Sequence, residues 1–341
     1  MIKRRQGNLQ KMMKTSLLEN LLSSIRERLP AKTNLANYLS EVLILGRESV
    51  YRRLRGEIPF TFDEIVKLSL HMGFSLDNIV GSKKSENALF NIHMLQNSDY
   101  YDIYVNKMLE YGRLFREMGN SFDAHARLAV NTMPYFLHIP YKNLSRFRIY
   151  KWLYQNQKVK INENFADFAL SERILQTHET FYADTQKIKD ITLIIDDNVF
   201  WSAAKDVAYF QKRGLLTVED SRLLQSELLD MIDQMEQMAT TGVNASGATV
   251  QLYACAVDLE ASYLHFEYGE NQFSQVRIFA LSAIDSFNEG LCQIQKQWIE
   301  SLKRYSVLIS ESGEMQRFEY LNKQREYIHK ITDPAIEAAA V

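Results

Sequence analysis

Residues 39–56 read LSEVLILGRESVYRRLRG, a pattern typical of two short helices joined by a tight turn. Apolar and small residues recur at helical spacing on one side of both segments, so this side is predicted to be buried. Gly46 marks the turn between the segments. The side chains predicted to pack inward are Leu39, Ser40, Leu43, Leu45, Val50 and Leu54.

The same spacing leaves a second set of side chains on the outer face of the second helix, which is predicted to span about 48–55. Arginine can make a bidentate contact with guanine, and Ser and Tyr can contact bases or phosphates. A short helix with these groups suits the major groove of double-stranded DNA. The residues predicted to bind DNA are Arg47, Glu48, Ser49, Tyr51, Arg52 and Arg55.

Further helix-sized segments surround this pair and predict a helix-turn-helix domain of five helices over residues 16–81. The first segment, Ser16–Leu29, stops before a proline, and Asn34 is placed to cap the helix that precedes the turn. A fourth helix is predicted from about Thr61, and a short fifth helix is predicted from Ser75.

This stretch resembles the DNA-binding domain of lambda-repressor/Cro-like, or XRE-type, helix-turn-helix regulators of bacteria and phages. The resemblance extends to GEIPFTFDEIVKL at 56–68 and GFSLDNI at 73–79, and it covers under a quarter of the chain. It implies a five-helix domain, a recognition helix and regulation of transcription. The form SVYRRLRGE at 49–57 is also similar to a variant found in regulators from Bacteroidetes.

Two positions depart from the pattern of that family. Its members commonly have Ser or Thr at the start of the recognition helix, where this chain has Gly46 and Arg47. An apolar residue is usual where Arg53 stands, and Leu54 follows one position later. The phase of the helix is therefore open, and either Arg52 or Arg53 would face the groove.

Charge is distributed unevenly along the chain, although the net charge is only −2. Residues 1–84 hold 15 Lys and Arg against 8 Asp and Glu, a net charge of +7, and the remaining residues hold 25 against 34, a net charge of −9. This split favours binding of a polyanion at one end only, although such a split also arises by chance.

A basic arm is predicted at 1–15. It either adds phosphate contacts through Lys3, Arg4 and Arg5 or is a tail that aids solubility.

Small and charged residues at 82–85 predict a linker to a second domain over 86–341. Helix is predicted throughout 86–212, and again at about 283–305 and 313–331. Between them, Thr217 and Asp220 resemble a capping box that opens a further helix. The apolar stripe of this helix is predicted to pack on its own domain and not to form a dimer seam.

Residues 249–257, 262–268 and 273–281 are rich in β-branched and aromatic side chains. They predict a small antiparallel sheet over about 249–281, with a hairpin turn at Gly269. The predicted fold class is therefore mainly α: a five-helix helix-turn-helix domain followed by a larger, helix-rich α+β domain with this small sheet.

Residues 85–341 contain no Gly-rich phosphate loop and no nucleophile motif. The pairs Asp196-Asp197 and His178-Glu179 are the nearest to reactive clusters, and both are predicted to lie on helix surfaces. The chain is therefore predicted not to be an enzyme.

Two further features bear on cofactors and location. Cys255 and Cys292 lie among apolar neighbours and are predicted to be buried as small hydrophobes, and no metal or cofactor is predicted. No apolar run approaches the ~20 residues needed to cross a bilayer, and the basic N-terminal start is not followed by an apolar signal core. The protein is predicted to be cytoplasmic, with no membrane partner.

These observations lead to the hypothesis of a transcriptional regulator that binds double-stranded DNA as a homodimer. Two half-sites about 34 Å apart require a two-fold dimer, and the second domain is the candidate to supply it. This domain could also respond to a small-molecule or protein effector, although its aromatic side chains are predicted to be core. The alternative is an interaction or scaffold protein whose helix-turn-helix docks a protein partner.

Overall fold

The structure, a computed structural model, describes residues 17–26, 28, 29, 33–74, 76, 90–93, 100–156, 163–278 and 281–332. The chain divides into two units, residues 1–89 and 90–341. Three predicted features lie outside the described residues: the basic arm at 1–15 with Lys3, Arg4 and Arg5, the linker at 82–85, and the start of the fifth helix at Ser75.

Local capping signals set the ends of the helices in the first unit. The side chain of Asn34 accepts a hydrogen bond from the backbone N–H of Asn37 at 3.1 Å. Thr61 and Glu64 form a reciprocal capping box at the start of the helix that was predicted from about Thr61. The helices of this unit are α1 (17–26), α2 (Leu35–Leu43), α3 (Arg47–Leu54) and α4 (Phe62–Met72).

The inward-facing residues of the quoted stretch form the core of this unit. Leu39, Leu43 and Val50 are buried, and Leu45 and Leu54 pack against them. Ser40 donates its hydroxyl to the carbonyl of Leu45, so it holds the turn as well as leaving space for α3. The remaining buried side chains of this core are Leu21, Ile25, Ala36, Phe60, Leu68 and Phe74.

The second unit is built on a mixed sheet of eight strands in the order β1-β7-β6-β5-β2-β3-β4-β8. The neighbours β2, β3 and β4 are parallel, and the other pairs are antiparallel. The strands are β1 (Asn91–His93), β2 (His125–Val130), β3 (Asp190–Asp196), β4 (Thr249–Cys255), β5 (Tyr263–Tyr268), β6 (Asn271–Ile278), β7 (Ser282–Ser286) and β8 (Ser306–Leu308).

The predicted fold class is wrong in the extent and type of this sheet, which is larger than a small antiparallel sheet at 249–281. β2 and β3 lie in the region that was predicted to be helical throughout, and β7 replaces the start of the helix predicted at 283–305. The sequences ARLAV at 126–130 and ITLII at 191–195 belong to strands covered on both faces. Such strands lose the alternation of polar and apolar residues, so periodicity alone cannot separate them from a buried helix.

Helices cover both faces of the sheet, and the second unit is therefore a three-layer, helix-rich α+β structure. One face packs against most of the helices in the main hydrophobic core. On the other face, Ile299 and Leu302 of α11 pack on Ala129, Ile194 and Cys255. The helices are α5 (Tyr100–Asn120), α6 (Tyr135–His138), α7 (Lys142–Gln155), α8 (Glu172–Thr185), α9 (Val199–Lys212), α10 (Val218–Thr241), α11 (Glu289–Leu302) and α12 (Glu314–His329).

Two local predictions for the second unit are confirmed. Thr217 and Asp220 form the capping box of α10, and the apolar stripe of that helix is buried within its own unit. The β5–β6 hairpin turns at Gly269, whose φ of 54° lies in the left-handed region that glycine adopts without steric cost. Both features are determined by residues close together in sequence.

Candidate nucleic-acid interface

The inner face of α3 is held by one apolar and one ionic contact. Val50 is fully buried in the first-unit core. Arg53 donates from Nε and Nη2 to the two carboxylate oxygens of Glu64 at 2.9 and 2.8 Å, and from Nη1 to the hydroxyl of Ser49 at 2.8 Å. The two charged side chains are only 10% and 14% exposed. This bidentate pair ties α3 to the first turn of α4.

The protonation state of Glu64 follows from its hydrogen bonds. Burial on its own would raise the pKa of this carboxyl, but hydrogen bonds from the Arg53 guanidinium and from the backbone N–H of Thr61 lower it below its ordinary value. Glu64 is therefore ionised at neutral pH. Its partner is the cation of Arg53, which stands where an apolar residue is usual in the helix-turn-helix pattern. Arg53 faces inward, which leaves Arg52 as the outward member of the two.

The outer face of α3 brings five of the six predicted DNA-binding residues together on the surface. Arg47, Glu48, Tyr51, Arg52 and Arg55 are all exposed. Ser49 is partly buried, and its hydroxyl accepts the hydrogen bond from Arg53. Its main role in the structure is therefore to fix the orientation of that guanidinium.

Exposed carboxylates lie beside the arginines of this face. Arg55 contacts Glu57 at 2.6 Å and Glu48 at 3.4 Å, and Arg52 lies 3.5 Å from Glu57. The hydrogen bond from Arg55 is the main cause that lowers the pKa of Glu57. Exposed pairs of this kind are weak and exchange readily. Phosphate oxygens can therefore replace these carboxylates at little cost.

Ile44 occupies a strained position in the turn between α2 and α3. Its φ of 55° and ψ of 49° are left-handed, a conformation that a β-branched residue rarely adopts, and its side chain is 87% exposed. The left-handed conformation costs roughly 1–2 kcal/mol in a residue other than glycine. The turn is therefore held in place by its surroundings, including the Ser40–Leu45 hydrogen bond.

Replacing Ile44 with Gly is expected to stabilise the first unit by about 0.5–1 kcal/mol, because little buried area is lost and the strain relieved exceeds the conformational entropy that glycine adds to the unfolded chain. Hydrogen exchange of the α2 and α3 amides, followed by mass spectrometry on the full chain, measures the change. Leu70→Gly is the matched control, since Leu70 is 81% exposed inside α4. Glycine in the interior of a helix relieves no strain, so hydrogen exchange should not become slower in this variant. Faster exchange in Ile44→Gly would show that the turn is not strained.

One member of each polar pair that was predicted to be helix surface is buried instead, whereas Glu179 is exposed on α8 as predicted and Asp197 is partly exposed. Asp196 ends β3 and is 3% exposed, and it accepts hydrogen bonds from the backbone N–H groups of Asn198 and Leu259 at 2.7 and 2.6 Å. His178 is 5% exposed, and its Nε2 lies 2.9 Å from the hydroxyl of Tyr104. Their positions inside the sheet-and-helix core carried no sequence signal, because their partners are distant in the chain.

Metal-ligating side chains do not come together in the part of the chain that the structure describes. No group of three or more His, Cys, Asp or Glu residues there is placed to hold a metal ion. Cys255 and Cys292 are buried free thiols, as their apolar surroundings predict.

Comparison of the chain with family models, with curated proteins and with solved structures gives no match. Within the described residues, no helix combines the length and the apolar character that a membrane crossing requires. The geometry of α3 is therefore the feature that indicates function.

Proposed function

We propose that the chain is a sequence-specific, DNA-binding transcriptional regulator whose helix α3 enters the major groove. The observation that supports this proposal is the division of α3 into two faces. Val50 and the Arg53–Glu64 pair fix one face to the unit, while Arg47, Tyr51, Arg52 and Arg55 extend from the other. A rigid helix with exposed arginines can present their planar donors to base edges without losing orientation.

Two acidic residues beside the arginines, Glu48 and Glu57, would help the proposed interface to distinguish one DNA sequence from another. Glu48 lies in the first turn of α3 and can accept a hydrogen bond from the amino group of cytosine. Glu57 pairs with Arg52 and Arg55 in the free protein and would be displaced by phosphate or by guanine. A base that presents an acceptor instead of an amino group to Glu48 would leave that carboxylate without a donor, which disfavours binding to the wrong sequence.

We further propose that the protein acts in the cytoplasm as a homodimer. Two copies of α3 reach successive major grooves only when a two-fold axis relates them. The second unit is the larger one and is assigned the dimer contact and the response to an effector. The mass of the DNA complex tests this part directly, because a dimer gives two chains for each bound site.

A second candidate function is docking of a protein partner, which is favoured by one surface of α4. Phe62 and Leu70 are 71% and 81% exposed, and with the partly buried Val66 they lie at four-residue spacing on one side of the helix. Exposed apolar side chains in such a row are typical of a protein contact. This candidate predicts no affinity for DNA at low salt.

Binding to DNA is expected to weaken steeply as salt rises, because contacts between arginine and phosphate release counterions. The purified full chain is first mixed with random DNA fragments, and the retained fragments are sequenced to obtain a specific site. Arg52→Ala should then cost ~1–3 kcal/mol of binding free energy at that site and relax the preference at one base position. The measurement is a titration by fluorescence anisotropy at several salt concentrations.

Two variants serve as controls for this titration. Arg222→Ala removes an exposed arginine from α10 in the second unit and should leave the affinity unchanged. Lys3→Ala should weaken specific and random DNA alike if the basic arm contacts phosphates. Absence of binding at low salt would overturn the proposed function, and an equal effect of Arg52→Ala on specific and random DNA would overturn the role of Arg52 in base recognition.

A further inference from the structure

A pocket with a volume of about 140 Å³ lies in the second unit, between helices α7, α9 and α10, and is called the α7–α9 pocket below. Engineered apolar cavities of about 150 Å³ hold the six carbon atoms of benzene, so this smaller space suits a guest of about five non-hydrogen atoms. Most of its wall is apolar. The buried apolar side chains that line it are Leu144, Phe147, Val199, Val207, Leu228 and Met231.

The α7–α9 pocket lies beside the carboxyl ends of two parallel strands. Thr132 and Met133 come directly after β2, and Val199 is the first residue of the helix that follows β3. All three line the pocket. In open α/β sheets, ligands commonly bind outside the carboxyl ends of the strands. The first turn of α9 also contributes the positive end of its dipole, which favours an anion there.

The charged side chains on the pocket wall are two cations and one carboxylate, which gives a net charge of +1. Lys151 donates a hydrogen bond to Asp206, so these two charges offset each other. Arg148 has no carboxylate partner within 4 Å among the residues that the structure describes. His138 also lines the pocket, but burial holds its pKa well below the ordinary value, so it is neutral at pH 7.

The guanidinium group of Arg148 is fixed to the pocket wall through one of its three nitrogens. Nη1 donates to the carbonyl of Met133 at 2.6 Å and lies 3.4 Å from Nδ1 of His138, and both of these residues line the pocket. The guanidinium carbon lies 4.8 Å from the centroid of the Tyr135 ring, a contact that stabilises the cation without using its N–H donors. Nε and Nη2 donate no hydrogen bond within the described part of the chain.

The surroundings of Arg148 make its charge costly. Burial and the nearby charge of Arg277 lower the pKa of Arg148 to about 10, so the side chain is still a cation at neutral pH. A largely buried cation without a carboxylate partner destabilises a folded protein. An anion in contact with Nε and Nη2 would offset this cost.

We propose that the α7–α9 pocket binds a short aliphatic monocarboxylate, with the carboxylate on Nε and Nη2 of Arg148 and the alkyl chain against the apolar wall. The planar guanidinium can hold both oxygens of a carboxylate in a bidentate contact. One negative charge balances the net charge of the wall. Phosphate or a dicarboxylate would place additional charged oxygens against the apolar side chains, which is unfavourable.

The ligand would act as the effector of the regulator, and that role rests on the proposed function. Binding of the ligand itself does not, since it is measured on the full chain in the absence of DNA. A chain that binds DNA but no carboxylate would overturn only the ligand site, and a chain that binds the carboxylate but no DNA would overturn only the proposed function.

Calorimetric titration of the unmodified full chain tests the proposal with propionate, which has five non-hydrogen atoms, and with the neutral propionamide of the same shape. We expect propionate to bind at least 10-fold more tightly than propionamide. Acetate, which is shorter by one CH₂ group, should bind about 4-fold more weakly than propionate, since one buried CH₂ contributes about 0.8 kcal/mol. Inorganic phosphate should bind at least 10-fold more weakly than propionate.

Each of the opposite results overturns a defined part of the proposal. No detectable binding of propionate would overturn the site. Equal binding of propionate and propionamide would overturn the contact with Arg148. Binding of phosphate as tight as that of propionate would overturn the assignment of an aliphatic carboxylate.

Three variants locate the bound compound. Arg148→Met should weaken propionate binding at least 10-fold and leave propionamide unchanged. Ala203→Leu should weaken both compounds, because Ala203 lines the pocket and the larger side chain fills it. Arg146→Met is the matched control and should change neither, since Arg146 is on the same helix and contacts the ring of Phe165 at 3.9 Å but does not line the pocket.

Circular dichroism and thermal unfolding verify that each variant is folded. Unchanged propionate binding in folded Arg148→Met would overturn the proposal. Unchanged binding in folded Ala203→Leu would overturn it as well, so the test does not depend on the stability of the Arg148 variant alone.

Discussion

Lowering the pH from 7 to 5 is expected to destabilise the second unit by at least about 4 kcal/mol. His178 and His265 are 5% and 0% exposed, and burial lowers the pKa of each to about 4. In the unfolded chain the same groups have the ordinary value of 6.5. Each shift is worth ~1.4 kcal/mol per pH unit, which gives about 2 kcal/mol per histidine between pH 6.5 and pH 5.

Acid lowers the free energy of unfolding because the unfolded state binds protons that the folded state does not. Below pH 6.5 the unfolded chain takes up protons at these histidines and the folded chain does not, so acid favours unfolding until the pH reaches about 4. His138, whose pKa burial places well below its ordinary value, adds to the loss in the same direction. Glu267 does not contribute in this interval. Although burial opposes it, hydrogen bonds from Lys296 and Arg127 lower the pKa of Glu267 to about 2, so its contribution is lost only in stronger acid.

Urea unfolding at pH 7, 6 and 5 measures this loss through tryptophan fluorescence. All three tryptophans, Trp152, Trp201 and Trp298, lie in the second unit, so the signal reports that unit selectively. His178→Gln should reduce the loss by about 2 kcal/mol, because glutamine keeps a hydrogen bond to Tyr104 and takes up no proton. His329→Gln, at an exposed position, is the matched control. Equal stability at pH 7 and pH 5 would contradict the prediction.

The parts of the fold that the sequence predicts are those whose causes are local. The caps predicted at Asn34 and Thr217 involve partners only three residues away, and both are present in the structure. The helix predicted from about Thr61 begins at a capping box of the same span. The β5–β6 hairpin is determined by its own turn at Gly269. In each case a side chain or a glycine satisfies a requirement of its immediate neighbours, so no knowledge of the rest of the chain is needed.

The sheet could not be predicted in the same way because its pairings are distant in sequence. Residues 126–130 pair with 191–195 in parallel, and both strands are buried by helices from other parts of the chain. An apolar run such as ITLII fits a buried strand and a buried helix equally well. The strands that were found, β4 to β6, are those with β-branched and aromatic residues beside clear turn signals.

An apolar cavity in the second unit, between the sheet and helices α5, α6 and α8, could not be predicted from the sequence for the same reason. Its lining comes from α5, α6, α8 and five strands, and no pair of its charged residues is close in sequence. Arg148 and Arg277 are 129 positions apart in the chain and meet only around Tyr135. Aromatic residues at helical spacing are more often core than ligand site, and here the same rings serve as both core and cavity wall.

Replacing Arg53 with Met is expected to destabilise the first unit by about 3 kcal/mol and to abolish DNA binding for that reason alone. The change leaves Glu64 ionised and 14% exposed, without the guanidinium that donates two hydrogen bonds to it. An uncompensated buried charge of this kind costs roughly 3–5 kcal/mol. Hydrogen exchange of the amides in α2, α3 and α4 should therefore become faster, while tryptophan fluorescence of the second unit remains unchanged.

Two further variants separate this structural role from contact with DNA. Arg52→Met removes the adjacent, exposed guanidinium and should weaken DNA binding with less than about 0.5 kcal/mol of change in stability. Combining Arg53→Met with Glu64→Leu should restore most of the protection from exchange, since apolar side chains can replace a buried ion pair. If Arg53→Met abolishes DNA binding while exchange in α3 stays slow, Arg53 and not Arg52 faces the groove, and the helix phase assigned from the Arg53–Glu64 pair is wrong.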